Sequence, residues 1–529
     1  MKKLLTVLAV LAVCFSTLSA QSKSTMRRNA EKIAQALYYI ETRYVDTVDI
    51  DREVDRMLES LMERLDPHSA YVPRDKVAAS HESLDGSFEG IGIEFVMLAD
   101  TLTLQSVMAG GPAESAGMRS GDKIVAVEGE PIAGVGLSAE AVSSRVRGPK
   151  GTPVALTVLR EGVPLEFVVR RDTVPIESLD TAYLPETGIV YLKLSRFAQS
   201  TVEEFIEALR RLAPKRPKGI IIDLRGNGGG YMHVAMAMAD MFLEKGQAIV
   251  RVEGPDLDRT EKATGRGFFR EGPLVVLVDE NSASSSEILA GALQDWDRAV
   301  IVGRRTFGKG LVQQEYTLPD GSEMRLTVAR YHTPCGRVVQ SPYEPGKRAA
   351  YYRQARVRYE RGESFSRDSI VLPDSLRFST LKLGRPVYGG GGIVPDVFVP
   401  YDTAAYNRFV VRALGGGLVT EYAYTYADRH RAELEAKDLD RFLKQYQKME
   451  TSVFEGLLAH CAEKGVKPAS EEELSQAAPV LKTRLKALLA RSVLDGTAYW
   501  QIINEEEDPA FQRALEIIRN WKGAFPTDL

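Results

Sequence analysis

The residues able to do chemistry in this 529-residue chain cluster in its middle third. A run of hydroxyl side chains, Ser282-Ala283-Ser284-Ser285-Ser286-Glu287, lies between an apolar stretch, Leu274–Asp279, and the helix-type residues Ile288, Leu289, Ala292 and Leu293. Serines so placed sit at a helix N-terminus, where free backbone N–H groups and the helix dipole favour an alkoxide or a tetrahedral oxyanion. Ordinary helix capping suits the same residues. Lys309 lies between two glycines and close to Phe307, just after a second apolar stretch, Ala299–Gly303. Apolar surroundings desolvate an amine and lower its pKa, and only a neutral amine can take a proton from serine. Serine–lysine pairs are an established alternative to Ser-His-Asp. Gln313, four residues after Lys309, shares a face with it if the segment is extended, and its amide oxygen could orient the amine. Gly228, Gly229 and Gly230 offer unhindered backbone N–H groups, suited to an oxyanion hole or to a simple turn.

These residues must be brought together by the elements around them. Residues 174–405 read as α/β: Lys218–Arg225, Leu274–Asp279 and Ala299–Gly303 are buried strands, and helix-type stretches such as His233–Leu243 follow them. Strand–turn–helix repeats of this kind favour parallel strands with function at the strand ends. Residues 25–82 read as helical, with Ile33, Leu37 and Ile40, then Val54, Met57, Leu58, Leu61 and Leu65, at helical spacing. Pro67 ends the second of these helices. Residues 406–529 return to helix, with Leu481, Leu485, Leu488 and Leu489 on one face and Ser470/Glu473 at capping-box spacing. No chemistry is visible there, and a packing or partner module is expected.

Residues 83–173 have a different character. Short β-type runs, Ile91–Met97, Leu102–Val107, Lys123–Val127, Val154–Leu159 and Leu165–Arg171, surround one helix-like piece, Leu137–Val146. The stretches Gly90-Ile91-Gly92-Ile93, Gly111–Ile124 and Val127-Glu128-Gly129 resemble a PDZ domain. The resemblance implies that Gly90, Ile91, Gly92 and Ile93 hold a peptide carboxylate and that the strand after them pairs with the peptide. Ile93, Val142 and Val146 would line the groove, and Arg147 could link tail binding to the active site.

Together, Ser282–Ile288, Thr306-Phe307-Gly308-Lys309-Gly310 and Gln313 resemble the signature of the C-terminal processing peptidases, or tail-specific proteases. Leu65–Ser69, Asp223-Leu224-Arg225 with its glycines, Arg330–Pro334 and Gly389–Asp396 agree with it. The resemblance implies Ser284 as nucleophile, Lys309 as general base and Gln313 as its assistant. Ser285 and either Gly229 or Gly230 would donate to the oxyanion. Glu287 and Asp295 are expected to support the helix and loops. Ser285 stands where the family pattern has alanine, and 342–388, rich in Tyr and Arg, looks like an insertion of unassigned role. The whole reads as a multidomain α/β (α+β) protease core with an inserted PDZ-like β-module, a helical N-terminal segment and a helical C-terminal domain.

Composition fits this. Apolar residues make up 44 % and charged residues 26 %, and the net charge is −4, which argues against a nucleic-acid binder. Lys2 and Lys3, an apolar run to Val13 and small residues up to Ala20 have the build of a secretory signal over 1–20, so export to the periplasm or cell envelope is expected, with membrane association if that segment is retained. After its removal Cys335 and Cys461 remain, too few for a disulfide framework. Six scattered histidines without HExxH or CxxC argue against a metal, and no cofactor is expected. The expected partners are protein substrates with free C-termini; an adaptor protein and a homo-oligomer stay open. Two rivals remain, a non-catalytic PDZ scaffold and a Ser-His-Asp hydrolase using His233 or His332, though no GxSxG accompanies them.

Overall fold

The computed structural model describes residues 24–98, 100–108 and 110–525. The expected signal at 1–20 lies outside them. Among the described residues no helix is long and apolar enough to cross a membrane. The chain forms two compact units.

The smaller unit comprises residues up to Asp75 with Glu315–Leu326 and Glu344–Arg348. It holds a helix over 24–43, the helix Ile50–Glu63 and a short strand, Ala70–Val72, paired antiparallel with Glu323–Arg325. Asp49 caps the second helix, and the Asp66 carboxylate gathers the N–H groups of His68 and Ser69 (both 2.8 Å) to turn the chain after it. The helical periodicity is present, but Ile33, Ile40, Met57, Leu61 and Leu65 remain 40–49 % exposed, so it does not mark a core within this unit.

The larger unit contains everything else, in three parts. The β-module has an antiparallel sheet in which Ile93–Leu98 is an edge strand, paired among the described residues with Thr101–Val107 alone. Its helix, Ala139–Val146, starts on the Ser138 cap, two residues later than the apolar pattern suggests.

The α/β core is a six-stranded sheet. Leu179–Glu186 lies antiparallel at one edge, followed by the parallel strands Ile189–Leu194, Gly219–Asp223, Leu274–Val278, Val300–Gly303 and Val397–Phe398. Alternation along the strands makes two apolar faces. Val190, Leu192, Ile220 and Ile222 pack with the helices Thr201–Leu212, Met232–Asp240 and Ser285–Asp295. Tyr191, Ile221, Val275 and Leu277 pack under the helix Pro509–Arg519.

The C-terminal helices over 408–506 have their own core, in which Leu481, Leu485 and Leu489 are fully buried. The helix Pro509–Arg519 departs from that module. Its stripe of Phe511, Ala514, Leu515 and Ile518 recurs at i, i+3, i+4 and i+7 and covers the sheet of the α/β core instead. The segment 342–388 carries the helix Arg348–Glu360 and a small hairpin, Arg377–Ser379 with Pro386–Tyr388.

Candidate active site

The serine run forms the turn between the strand Leu274–Val278 and the helix Ser285–Asp295. Ser282, Ser285 and Ser286 are buried, and their hydroxyls donate to the carbonyls of Leu224 (2.8 Å), Gly230 (2.8 Å) and Asn227 (2.9 Å). Ser284 is the member of the run that reaches solvent. It heads the helix at φ 56° and ψ −114°, a sparsely populated conformation that costs a non-glycine residue about 1–3 kcal/mol and persists only where its surroundings enforce it.

The groups that enforce it also hold Lys309. One oxygen of Glu287, Oε2, accepts the backbone N–H of both Ser284 (2.9 Å) and Lys309 (2.8 Å). The other, Oε1, accepts the Gly308 N–H (2.8 Å) and the Thr306 hydroxyl (2.5 Å). On the carbonyl side, the Tyr331 hydroxyl lies 3.1 Å from the Ser284 oxygen and 2.5 Å from that of Lys309. Two buried side chains therefore staple the serine backbone to the lysine backbone. Burial pushes the Glu287 carboxyl up to about 7, although its four donors pull it down. Burial also pushes the Tyr331 phenol well above its usual range. Above neutral pH Glu287 is thus an acceptor and Tyr331 a donor, as the staple requires.

Lys309 Nζ donates to Gln313 Oε1 at 3.0 Å, and Gln313 lies in the strand Leu311–Thr317. His233 Nε2 instead meets Gln199 Oε1 at 3.1 Å, and His332 Nε2 meets Glu253 at 3.3 Å. Each histidine of the rival triad is thus engaged elsewhere.

The glycine loop follows the strand Gly219–Asp223. Asp223 anchors its start by accepting from the Tyr191 hydroxyl and from Arg225 Nη2, both at 2.6 Å. Burial opposes this charge, but the neighbouring Arg225 and Lys193 hold the Asp223 carboxyl well below the usual carboxylate range. Gly229 packs against Ser284: at φ 106° an added Cβ would lie 2.7 Å from Ser284 Cβ. Its N–H donates to Asn227 Oδ1 at 2.9 Å inside the loop. Among the described residues the N–H groups of Gly230 and Ser285 have no acceptor. Asn227, which shapes this loop, and Tyr331 were not assigned from the sequence. Tyr331 lies in the Arg330–Pro334 motif, but its two partners are visible only in the fold.

In the β-module, Gly90 ends the strand Ser87–Gly90, and Gly92 adopts φ 76° ahead of the edge strand beginning at Ile93. Ile91 is 1 % exposed, and Val142 and Val146 are 0 % and 5 % exposed in the module's core. The two valines therefore do not line an open groove as expected. Their i, i+4 spacing turns both under the sheet, which leaves half-buried Ile93 beside the open edge. Arg147 pairs with the Glu82 carboxylate and lies over the Phe88 ring at 4.7 Å, so it ties the module to the chain entering it.

Residues 188–345 match peptidase family S41, residues 104–160 match the PDZ domain, and residues 409–495 match a family of unknown function. A carboxy-terminal-processing protease of Bartonella bacilliformis is 35 % identical over 339 residues, 63 % of this chain and 77 % of that protein. The carboxy-terminal processing protease CtpB of Bacillus subtilis is 33 % identical over 324 residues, 60 % of this chain and 67 % of that one. Among solved structures, a photosystem II D1 C-terminal processing protease aligns at 30 % identity over 58 % of this chain and 84 % of its own, with a TM-score of 0.34.

Proposed function

Because the chain belongs to peptidase family S41, as a PDZ-containing carboxy-terminal processing serine protease, we propose that it is an exported endopeptidase that cleaves proteins near a free C-terminus with a Ser284–Lys309 dyad. Ser284 Oγ attacks the scissile carbonyl carbon and passes its proton to the neutral amine of Lys309. The electron pair displaced onto the carbonyl oxygen meets the N–H groups of Ser285 and Gly230. Collapse of the intermediate breaks the C–N bond, and Lys309 returns the proton to the leaving amine. Water, deprotonated by Lys309, then releases the acyl group from Ser284. Gln313 orients Lys309 through its 3.0 Å contact. The Gly90–Ile93 loop receives the tail carboxylate, and the open edge of Ile93–Leu98 pairs with the tail. The signal-like segment at 1–20 supports export.

The observation that carries this reading is the shared staple: one Glu287 oxygen and one Tyr331 hydroxyl each bind both Ser284 and Lys309. The test is substitution. Ser284→Ala and Lys309→Ala should each abolish cleavage while fold and tail binding persist, because losing either stops the same step. Near-normal turnover in Lys309→Ala would refute the dyad. Loss in Ser285→Ala without loss in Ser284→Ala would move the nucleophile by one residue.

A further inference from the structure

Residues 304–310, which carry Lys309, leave the strand Val300–Gly303 and join no sheet ladder before Leu311. Each backbone polar group there needs another partner. The N–H groups are met from the core: Thr306 donates to the Ile393 carbonyl, Phe307 to that of Ser282, and Gly308 and Lys309 to Glu287. The Phe307, Lys309 and Gly310 carbonyls are met by Ser341 and Tyr331, and those of Arg305 and Thr306 by a helix outside the core. Arg358 Nη2 donates to the Arg305 oxygen (3.0 Å) and Nη1 to that of Thr306 (2.9 Å). The Tyr351 hydroxyl joins the Ser341 N–H (2.8 Å) in donating to the Gly308 oxygen (3.2 Å), and its ring meets Phe307 edge-on at 6.0 Å. Arg358 and Tyr351 both lie on the helix Arg348–Glu360, within the segment that the family pattern leaves unexplained. Glu363 fixes Arg358 in place at 3.0 Å and binds Arg305 at 3.1 Å with the same oxygen.

Tyr351 is the one buried residue of this 13-residue helix. An element with so little apolar burial is docked by its polar contacts, and these are the contacts that hold the lysine segment. We propose that the helix Arg348–Glu360 is a latch for the catalytic base, with Arg358 and Tyr351 as positioning residues that set the path of residues 305–308 and so the place of the Lys309 amine. The proposal rests on the assignment of Lys309 as the base. A cavity of about 170 Å³ lies against the helix, lined by Arg305, Phe307, Tyr351 and Arg358.

The test uses the full chain with Arg358→Ala, followed by kinetics, amide exchange and binding of a C-terminal peptide. Expected are a fall in kcat of at least about tenfold with KM and tail binding unchanged, faster exchange at residues 305–309, and partial recovery of kcat with millimolar guanidinium, which can refill the vacated donor position. Tyr351→Phe, which keeps the ring, should raise exchange in the same segment with a smaller loss of kcat. A folded Arg358→Ala with wild-type kcat and wild-type exchange overturns the proposal. So does a rise in KM matched by loss of tail binding, which would make the helix a substrate-binding element. Retained turnover in Lys309→Ala would refute the base assignment instead, and the exchange rates would then decide alone whether the helix holds this segment.

Discussion

Glu287→Gln removes the charge at the centre of the staple and keeps its shape. The carboxylate accepts four hydrogen bonds, two on each oxygen. A carboxamide has one acceptor oxygen, so its NH2 must face a backbone N–H on one side. At least one buried N–H is then left without an acceptor, at about 1–3 kcal/mol, and the surviving bonds drop from charge-assisted to neutral strength, about 1 kcal/mol each. The loss is about 5 kcal/mol. Against it stands the cost of burying the charge, which exceeds what the four donors return, since the carboxyl is still raised from 4.5 to about 7 with all of them in place. The net change in stability above neutral pH is therefore small, while the geometric loss falls on Gly308, Lys309 and Ser284. A displacement of about 1 Å at reacting groups costs on the order of 100-fold. The expected result is a kcat lowered about 100-fold with KM and tail binding unchanged and only a modest fall in melting temperature, measured with a peptide substrate at pH 8 and by circular dichroism. Wild-type kcat would refute the staple. Global unfolding of the variant would refute the balance of terms.

Tyr331→Phe should keep the buried ring and lower kcat about tenfold, as one shared hydrogen bond to the two carbonyls is lost; a wild-type rate would show that Glu287 suffices. The raised Glu287 pKa has a definite sign for stability. The folded state binds this proton more tightly than the unfolded state, so its contribution is full below about 4.5 and is lost as pH rises to about 7, while activity needs the ionised form and rises across the same interval. Thermal denaturation of wild type and Glu287→Gln between pH 4.5 and 8 checks this, and equal slopes would contradict it. Amidating the terminus of a substrate should lower kcat/KM at least about tenfold, because charge-assisted bonds of about 1.5–3 kcal/mol each are removed; equal cleavage of both forms would mean that the module does not read the carboxylate.

The architecture was legible where local pattern and burial agree. Gly219–Asp223 and Leu274–Val278 are fully buried strands, as their unbroken apolar runs require, and the Ser470 cap starts its helix at Glu471. Periodicity alone misled in two ways. The stripe of Ile33 and Ile40 has helical spacing without burial, whereas Val142 and Val146 are more deeply buried than a groove wall would be. Ser284, Lys309 and Gln313 could be named as candidates from the sequence because they lie within short motifs. Tyr331, Asn227 and Arg358 could not, because each acts on a backbone group distant in sequence: Tyr331 on Ser284, Asn227 on Leu194, Arg358 on Thr306. Hydrogen bonds from a side chain to a distant carbonyl leave no spacing signal.

The helix Pro509–Arg519 bears on how the protein is made. Ile518 lies where a Cβ on Gly219 would be 2.6 Å from its Cγ2, and Phe511, Leu515 and Ile518 cover one face of the sheet. During synthesis Ser284 and Lys309 therefore emerge roughly 200 residues before the sheet that carries them can be closed. Until residues 509–518 have joined it, a nascent chain holds Ser284 and Lys309 on a half-covered sheet with apolar strands open to water.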